Sequence, residues 1–186
     1  NRRYQTDFVR ALFNACNEKQ GKSLKEAQEI NESAKHRIIG LSLETRPDHI
    51  TEEEIKHMLK LGCTKVQIGV QHIDNAILEL NKRGEVIEDT IRAIRLMKDA
   101  GLKIATHLMP NLPGSTPEKD KWMVREFFEN PNFKPDQLKI YPCVVTPYAE
   151  LEQWWKEGRY EAYSDEVLMD ILIEMKRHIP EYVRIE

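Results

Sequence analysis

Apolar residues along this chain recur at two spacings, and the two spacings alternate from one end to the other. Short apolar runs are typical of buried strands, whereas apolar positions every three or four residues are typical of amphipathic helices. The runs predict strands over 38–44, 66–70, 102–109 and 138–141. The last four residues, VRIE, predict the start of another strand. The helical spacing predicts helices over 4–16, 51–62, 86–100, 117–129, 150–157 and 164–178, with a further helix between residues 71 and 84.

Strand and helix alternate, and the predicted strands read as short and uniformly apolar, so we expect helices to cover both faces of the sheet. This pattern is typical of a parallel α/β sheet, which is either doubly wound or part of a (β/α) barrel. The length of 186 residues fits one domain. Residues 17–36 are polar with weak periodicity. We expect a mobile connection there, with helical character over 23–33.

Composition and charge narrow the functional classes. The net charge is −3 and the pI about 6.1, so a nucleic-acid-binding surface has to be a local basic patch. No apolar run approaches the ~18 residues of a membrane span, which predicts no membrane partner. Cys16, Cys63 and Cys143 lie far apart, which favours reduced thiols in a cytoplasmic protein over a disulfide framework or a metal site. The chain opens inside a helical pattern and ends as a strand begins, so we expect a piece of a larger protein.

Polar side chains follow the predicted strands where each one ends, namely Glu44, Gln71, His107 and Tyr141. Ligands of parallel α/β folds bind at the carboxyl ends of the strands, so convergence of these side chains predicts a site there. Each also has a structural interpretation. Glu44 is equally suited to pair with Arg46, Gln71 to cap a turn, and His107 to a hydrogen-bonded core position.

Arg83 follows the helix after Gln71 and belongs to the same candidate site, although a solvated helix-end charge explains it equally well. Carboxylate and amide groups suit ribose hydroxyls, and an arginine suits a carboxylate or phosphate. A nucleoside with an acidic tail fits this set. The chain has neither G-x-G-x-x-G after a strand nor a P-loop motif. The turn Leu112–Thr116 is either a wall of the site or a plain loop.

Several motifs occur in order along the chain: ETRPD at 44–48, VQIGVQ at 66–71, LELNKRG at 78–84, HLMPNLPG at 107–114, LKIYPC at 138–143 and ELEQWWKEGRY at 150–160. Together they resemble the radical S-adenosylmethionine (SAM) superfamily, and within it the radical domain of the Elongator-type enzymes that modify the wobble uridine of tRNA. The resemblance covers nearly the whole chain and implies the central part of a partial TIM-like (β/α) barrel.

The resemblance also implies roles for the candidate residues. Glu44 and Gln71 are expected near the cofactor ribose and Arg83 at the methionine carboxylate of SAM. His107 stands where related enzymes place another polar cofactor contact, commonly an aspartate. The family's 4Fe-4S cluster is held by three closely spaced cysteines, which this chain lacks. The family's glycine-rich segment and acetyltransferase domain are also outside it, so we expect the chain alone to be inactive.

In the complete protein the resemblance implies that radical chemistry and acetyl-CoA install a carboxymethyl group at C5 of the wobble uridine, with tRNA and other Elongator subunits as partners. A tRNA-facing patch is expected from Lys134, Lys139, Lys156 and Arg159. Trp154 and Trp155 either stack a base or place one ring in the core, and the core is favoured. Two alternatives remain: a non-catalytic Elongator-like scaffold, and an enzyme of the coproporphyrinogen-oxidase-like branch.

Overall fold

Five parallel strands in sequence order form the centre of the molecule, β1-β2-β3-β4-β5. The computed structural model describes all residues 1–186. Each strand pairs with the next one along the chain, as in a barrel, whereas a doubly wound sheet reverses its strand order at a switch point. The fold is therefore a partial TIM-like barrel with two open edges. The strands are β1 Ser42–Thr45, β2 Lys65–Gln71, β3 Lys103–Leu108, β4 Gln137–Ile140 and β5 Arg184–Ile185.

Helices connect the strands and cover the outer side of the sheet. They are α1 Arg2–Asn17, α2 Leu24–Asn31, α3 Glu52–Leu61, α4 Asn75–Leu80, α5 Ile87–Asp99, α6 Pro117–Glu129, α7 Glu150–Lys156 and α8 Asp165–Arg177, with a 3₁₀ turn at Pro47–His49. Residues with local capping chemistry begin several of them: the Thr51 hydroxyl accepts from the Glu54 N–H, and Thr116 accepts from the Lys119 N–H. None of the helices is long and apolar enough to cross a membrane.

The two faces of the sheet differ, which corrects the prediction of strands that are apolar on both faces. Val66, Ile68, Ile104 and Leu138 point outward into one large core beneath the helices and are fully buried. Most of the alternate positions, on the inner face, are polar, with Gly69 and Ala105 as exceptions. Because side chains alternate across a strand, the polar residues inside the apolar runs mark a second, open face. The inner face carries Glu44, Lys65, Gln67, His107, Gln137 and Lys139.

The first strand is shorter than predicted. β1 begins at Ser42, and the preceding Ile39 is 88% exposed. The register explains the late start, because Ser42 pairs with Lys65 and Ile38 would therefore lie opposite Leu61, the last residue of α3. The Asn31 side chain bonds the Ile38 backbone instead: its Oδ1 accepts from the Ile38 N–H and its Nδ2 donates to the Ile38 carbonyl oxygen.

Residues 17–36 contain a helix that packs against α1 and α3. α2 matches the predicted helical character over 23–33, with the Ser23 hydroxyl accepting from the Glu26 N–H at its start. Ala27 is fully buried and joins Val9, Phe13 and Leu61 in a small second core between α1, α2 and α3. The mobility of this connection stays a prediction.

Candidate functional site

The carboxyl ends of β1, β3 and β4 bring three of the predicted side chains together. Tyr141 Oη lies 3.1 Å from His107 Nδ1, and Glu44 Oε1 lies 3.7 Å from the same nitrogen. The two rings pack edge to face, with centroids 5.8 Å apart. His107 is 4% exposed, whereas the Glu44 side chain is 62% exposed. Glu44 therefore keeps its carboxylate available to a ligand at the open end of the sheet.

Two inner-face residues that the sequence did not assign to the cofactor site, Gln67 and Lys139, support His107 from below. His107 Nε2 lies 3.2 Å from Gln67 Oε1, and the same oxygen accepts from Lys139 Nζ at 2.6 Å. Burial lowers the pKa of the His107 imidazole. The Glu44 carboxylate raises this pKa, and the Lys139 charge lowers it. The histidine is therefore kept neutral at physiological pH. Its contacts make it part of a polar chain across three strands.

Gln71 ends β2 in a conformation that turns its side chain into the site. Its φ is 64°, in the left-handed region, at a register shift between β2 and β3. Its Oε1 is buried and has no hydrogen-bond partner within the chain. A buried, unpaired carbonyl oxygen is costly, so a ligand donor is the natural partner. Burial raises the pKa of Tyr141, and the neighbouring Gln71 amide partly offsets that rise.

Gly69 opens a cradle between Gln71 and Arg83. A Cβ atom at position 69 would lie 3.0 Å from Gln71 Nε2 and 3.4 Å from Arg83 Nη2. Arg83 Nη2 donates to the Gly69 carbonyl oxygen at 2.8 Å, and its Nε donates to Glu85 Oε1 at 3.1 Å. These bonds hold the guanidinium in place and leave Nη1 without a partner within the chain. A fixed guanidinium edge of this kind suits a carboxylate.

Arg46 belongs to the Arg83 side of the site, so the interpretation that it pairs with Glu44 is wrong. It makes a two-pronged contact with Asp48, at 3.0 and 2.7 Å, and its Nε lies 3.5 Å from Glu85 Oε2. The Glu85 side chain is 1% exposed. Burial raises its pKa, although both arginines oppose that change. Glu85 thus holds two arginines beside the cradle.

The turn Leu112–Thr116 is fixed from beneath by a buried carboxylate. Asp120 is fully buried, and its oxygens accept from the Asn111 N–H at 2.8 Å and the Ser115 hydroxyl at 2.6 Å. Gly114 has φ 85°, and a Cβ there would lie 2.7 Å from Leu80 Cδ2. The turn is therefore a firm wall against α4.

The residues present fit a SAM-like nucleoside and do not form a cluster site. The unpaired Gln71 oxygen, the space above Gly69 and the free edge of Arg83 match a ligand with donor hydroxyls and a carboxylate. By contrast, Cys16 is exposed on α1, Cys63 is buried and Cys143 is half-buried beyond β4. No three metal-binding side chains come together. No chemical step can be assigned to iron–sulfur ligands of this chain.

The structure divides the predicted tRNA patch. Lys139 is tied to Gln67 inside the sheet, and Lys134 lies ahead of β4, at the opposite end of the sheet from Glu44. Lys156 and Arg159 stay exposed near the carboxyl ends of the strands, paired with acidic neighbours. The four residues therefore do not form one surface.

The tryptophan pair departs from the favoured interpretation, because α7 has no buried residue. Trp154 is half-buried and lines a cavity of about 160 Å³ with Lys82 and Glu150. The Arg159 guanidinium stacks 4.8 Å above its ring. Trp155 is 53% exposed. Base stacking by Trp155 remains a prediction.

Two family descriptions match almost the whole chain. Residues 1–126 match the radical SAM superfamily, and residues 135–186 match the radical SAM C-terminal domain. The chain belongs to the radical SAM superfamily. This membership agrees with the partial barrel, and the family implies SAM and a 4Fe-4S cluster as cofactors.

Among radical SAM proteins, the chain is similar to enzymes named for uridine 34 of tRNA. It is 51% identical to the "tRNA uridine(34) acetyltransferase" of Methanocaldococcus infernus, over 97% of this chain and 34% of the relative. It is 36% identical to "Elongator complex protein 3" of Saccharomyces cerevisiae, over 98% of this chain and 33% of the relative. The solved structure of the archaeal M. infernus Elp3 superposes with a TM-score of 0.96 at 49% identity, over 100% of this chain and 44% of that one. The chain thus spans about a third of the length of these curated relatives.

Sequence reasoning missed several residues of this candidate site. Gln67 and Gly69 lie four and two residues before Gln71, and the period of two across VQIGVQ signals that all three share a face. Lys139 carries the same signal, because it lies two residues before Tyr141. No local pattern indicates that Glu85 links two arginines, because Arg83 lies two residues before it but Arg46 lies in a distant loop.

Proposed function

We propose that this chain supplies part of the SAM site of an enzyme that modifies the wobble uridine of tRNA. The observation that carries the proposal is the cradle of Gly69, Gln71 and Arg83, in a chain similar to enzymes named for that nucleotide. The proposal extends to a carboxymethyl product at C5 of the uridine, with acetyl-CoA as co-substrate in the complete protein. Bound SAM would supply the radical chemistry for which the superfamily is named.

The residues of this chain bind and orient the cofactor. Nη1 of Arg83 would donate to the methionine carboxylate, and the unpaired Gln71 oxygen would accept from a donor of the nucleoside. The exposed Glu44 carboxylate would accept from ribose hydroxyls. The Asp120-held turn would close one side of the site. In this assignment each hydrogen-bond donor of the ligand meets an acceptor of the protein, and each acceptor meets a donor.

Contacts with tRNA would come from Lys156, Arg159 and Trp155 on and beside α7. They are exposed at the end of the barrel that carries the site, which is where a nucleotide must enter. The aromatic ring offers a stacking surface and the cations offer phosphate contacts. Elongator-type partner subunits and a cytoplasmic location complete the proposal, supported by the names of the relatives and by three unbridged cysteines.

A segment exchange tests the function. This chain would replace the matching 34% of the M. infernus relative, and the wobble nucleoside of treated tRNA would be identified by mass spectrometry. We expect a carboxymethylated uridine that depends on SAM and acetyl-CoA. The matched variants are Arg83→Ala, which should abolish most product, and Arg95→Ala, an exposed arginine on α5, which should not.

The alternatives give different results in the same experiment. A scaffold would leave the exchanged protein able to bind tRNA without modifying it under any cofactor condition. An enzyme of the coproporphyrinogen-oxidase-like branch would consume SAM without changing tRNA. Either result would refute the proposed function.

A further inference from the structure

The Lys139 ammonium fixes the orientation of an amide on the inner face of the sheet. An ammonium group only donates hydrogen bonds, so the Gln67 atom 2.6 Å from Lys139 Nζ must be the carbonyl oxygen. The other end of that amide agrees, because Gln67 Nε2 donates to Ser42 Oγ at 3.1 Å. Lys139 is itself held near Glu186, at 3.7 Å, on the edge strand. The amide of Gln67 therefore has one permitted orientation.

This orientation determines which nitrogen of His107 carries the proton. His107 Nε2 lies 3.2 Å from Gln67 Oε1, and an oxygen at that distance requires a donor. The Nε2–H tautomer follows, and Nδ1 becomes an acceptor. Tyr141 Oη lies 3.1 Å from Nδ1, so the tyrosine hydroxyl donates its proton to the imidazole.

We propose that Lys139 and Gln67 are positioning residues that hold His107 as the Nε2–H tautomer and thereby turn the Tyr141 hydroxyl proton away from the ligand. Tyr141 Oη then presents a lone pair at the strand ends. It selects a ligand group that donates, such as a ribose hydroxyl, and disfavours one that only accepts. The identity of that ligand as a SAM-like nucleoside rests on the proposed function. The tautomer does not.

The charged groups around His107 show why Lys139 is needed. Glu44 from β1 faces Nδ1 at 3.7 Å, and a carboxylate there favours a proton on that nitrogen. The Lys139 charge, from β4, lowers the pKa of His107. Glu186, just after β5, raises it, as Glu44 does. Without Lys139, the Gln67 amide is free to rotate and offer its NH₂ to Nε2. The proton would then move to Nδ1, toward Glu44.

Nitrogen NMR of the full 186-residue chain labelled in histidine tests the tautomer directly. The signals of His107 would be assigned by their loss in His107→Asn. In the wild-type chain at neutral pH, we expect Nε2 to be protonated and Nδ1 unprotonated. In Lys139→Met we expect the Nδ1–H form to become the major species and the imidazole pKa to rise.

Two variants and one internal signal control the experiment. Lys139→Arg retains a donor and a charge and should restore the Nε2–H form. Lys134→Met, an exposed lysine at the opposite end of the sheet, should leave His107 unchanged. The fully buried His72 accepts from the Asp74 N–H through Nδ1 and reports whether each variant is folded. A wild-type Nδ1–H form, or an Nε2–H form that persists in folded Lys139→Met, would overturn the proposal.

A binding measurement tests the consequence for the ligand. S-adenosylhomocysteine is the probe, and the protein is the M. infernus relative that carries this chain in place of its own matching segment. In that protein Tyr141→Phe should weaken binding by about 2- to 10-fold, the effect of one lost hydrogen bond. Equal affinity of the two proteins would overturn the acceptor role of Tyr141. If the probe does not bind the exchanged protein while His107 shows the expected tautomer, the proposed cofactor is wrong and the tautomer assignment stands.

Discussion

The Arg83 guanidinium donates to the Gly69 carbonyl oxygen at 2.8 Å, which ties the segment after α4 to the end of β2. Nη2 also donates to Glu85 Oε1, as does Nε, so only Nη1 has no partner within the chain. The bonded Nη2 lies 3.4 Å from the position that a Cβ at residue 69 would take. The arginine is thus oriented before any ligand arrives, which lowers the entropy cost of binding.

Replacing Arg83 with alanine should weaken SAM binding by about 1.5–3 kcal/mol, the range for a hydrogen bond to a charged group. This corresponds to roughly 10- to 150-fold in the dissociation constant. Titration calorimetry with wild-type and variant proteins measures it. Arg83→Lys should recover only part of the loss, because lysine lacks the planar fork.

Loss of Arg83 also leaves the buried Glu85 with fewer partners, so stability must be separated from binding. The double variant Arg83→Ala with Glu85→Gln removes the buried charge. It should recover stability in urea unfolding but not affinity. Recovery of SAM affinity in the double variant would mean that Arg83 does not contact the cofactor.

Gly69→Ala should weaken binding with little effect on folding. The new Cβ would crowd Gln71 Nε2 at 3.0 Å and Arg83 Nη2 at 3.4 Å, and shift both groups by a few tenths of an ångström. We expect about tenfold weaker SAM binding, equal to roughly one hydrogen bond, and a change in unfolding free energy within about 1 kcal/mol.

Gly101→Ala is the matched control. Gly101 has φ 71° with nothing within 4 Å of a Cβ, so the substitution adds backbone strain without crowding any group. It should cost about 1–2 kcal/mol of stability and leave SAM affinity unchanged. If both glycine variants bind SAM as the wild type does, the space above Gly69 is not part of the cofactor site.

The elements were predictable because their signals are local. A glycine just beyond a helix commonly adopts the left-handed conformation, as Gly101 does after α5, and a threonine before a helix commonly caps it, as Thr51 caps α3 through the Glu54 N–H. The meeting of His107 with Glu44 and Tyr141 was predictable for a geometric reason, since parallel strands end at the same edge.

What the sequence could not show depends on contacts between distant residues. β1 starts late because Ile38 would lie opposite Leu61 in α3, a register that no local pattern specifies. The sequence places Lys139 in a tRNA-facing surface patch, because an isolated lysine is usually exposed. Its partner Gln67 lies 72 residues earlier on another strand. The pairing depends on strand register, which single-strand periodicity does not specify.

Asp120→Ala should be strongly destabilising. The carboxylate is fully buried and accepts from the Asn111 N–H and the Ser115 hydroxyl, so its loss leaves both donors unpaired. We expect a loss of about 2–5 kcal/mol in the free energy of urea unfolding. Asp170→Ala removes an exposed carboxylate paired with Lys121 and should cost far less stability than Asp120→Ala. Similar losses in the two variants would show that the turn over the site is not held by Asp120.

Glu85 should make the protein less stable as the pH rises above about 4.5. Burial raises the pKa of this carboxyl above its ordinary 4.5, so the folded chain holds the proton more tightly than the unfolded chain. The resulting stability is fully present below the unfolded pKa and is lost as the pH rises through the folded pKa. Urea unfolding at a series of pH values from about 4 to 8 should show this decrease. Glu85→Gln cannot ionise and should lose it.

The control for that titration is Glu157→Gln. Bonds from Gln153 and Arg159 lower the pKa of the exposed Glu157, so its contribution is lost as the pH falls, the opposite sign. This variant should keep the decrease in stability above pH 4.5 that Glu85→Gln removes. If wild type and Glu85→Gln have parallel stability curves across this range, Glu85 does not gain a proton on folding. In that case the two arginines, rather than burial, control the charge beside the cradle.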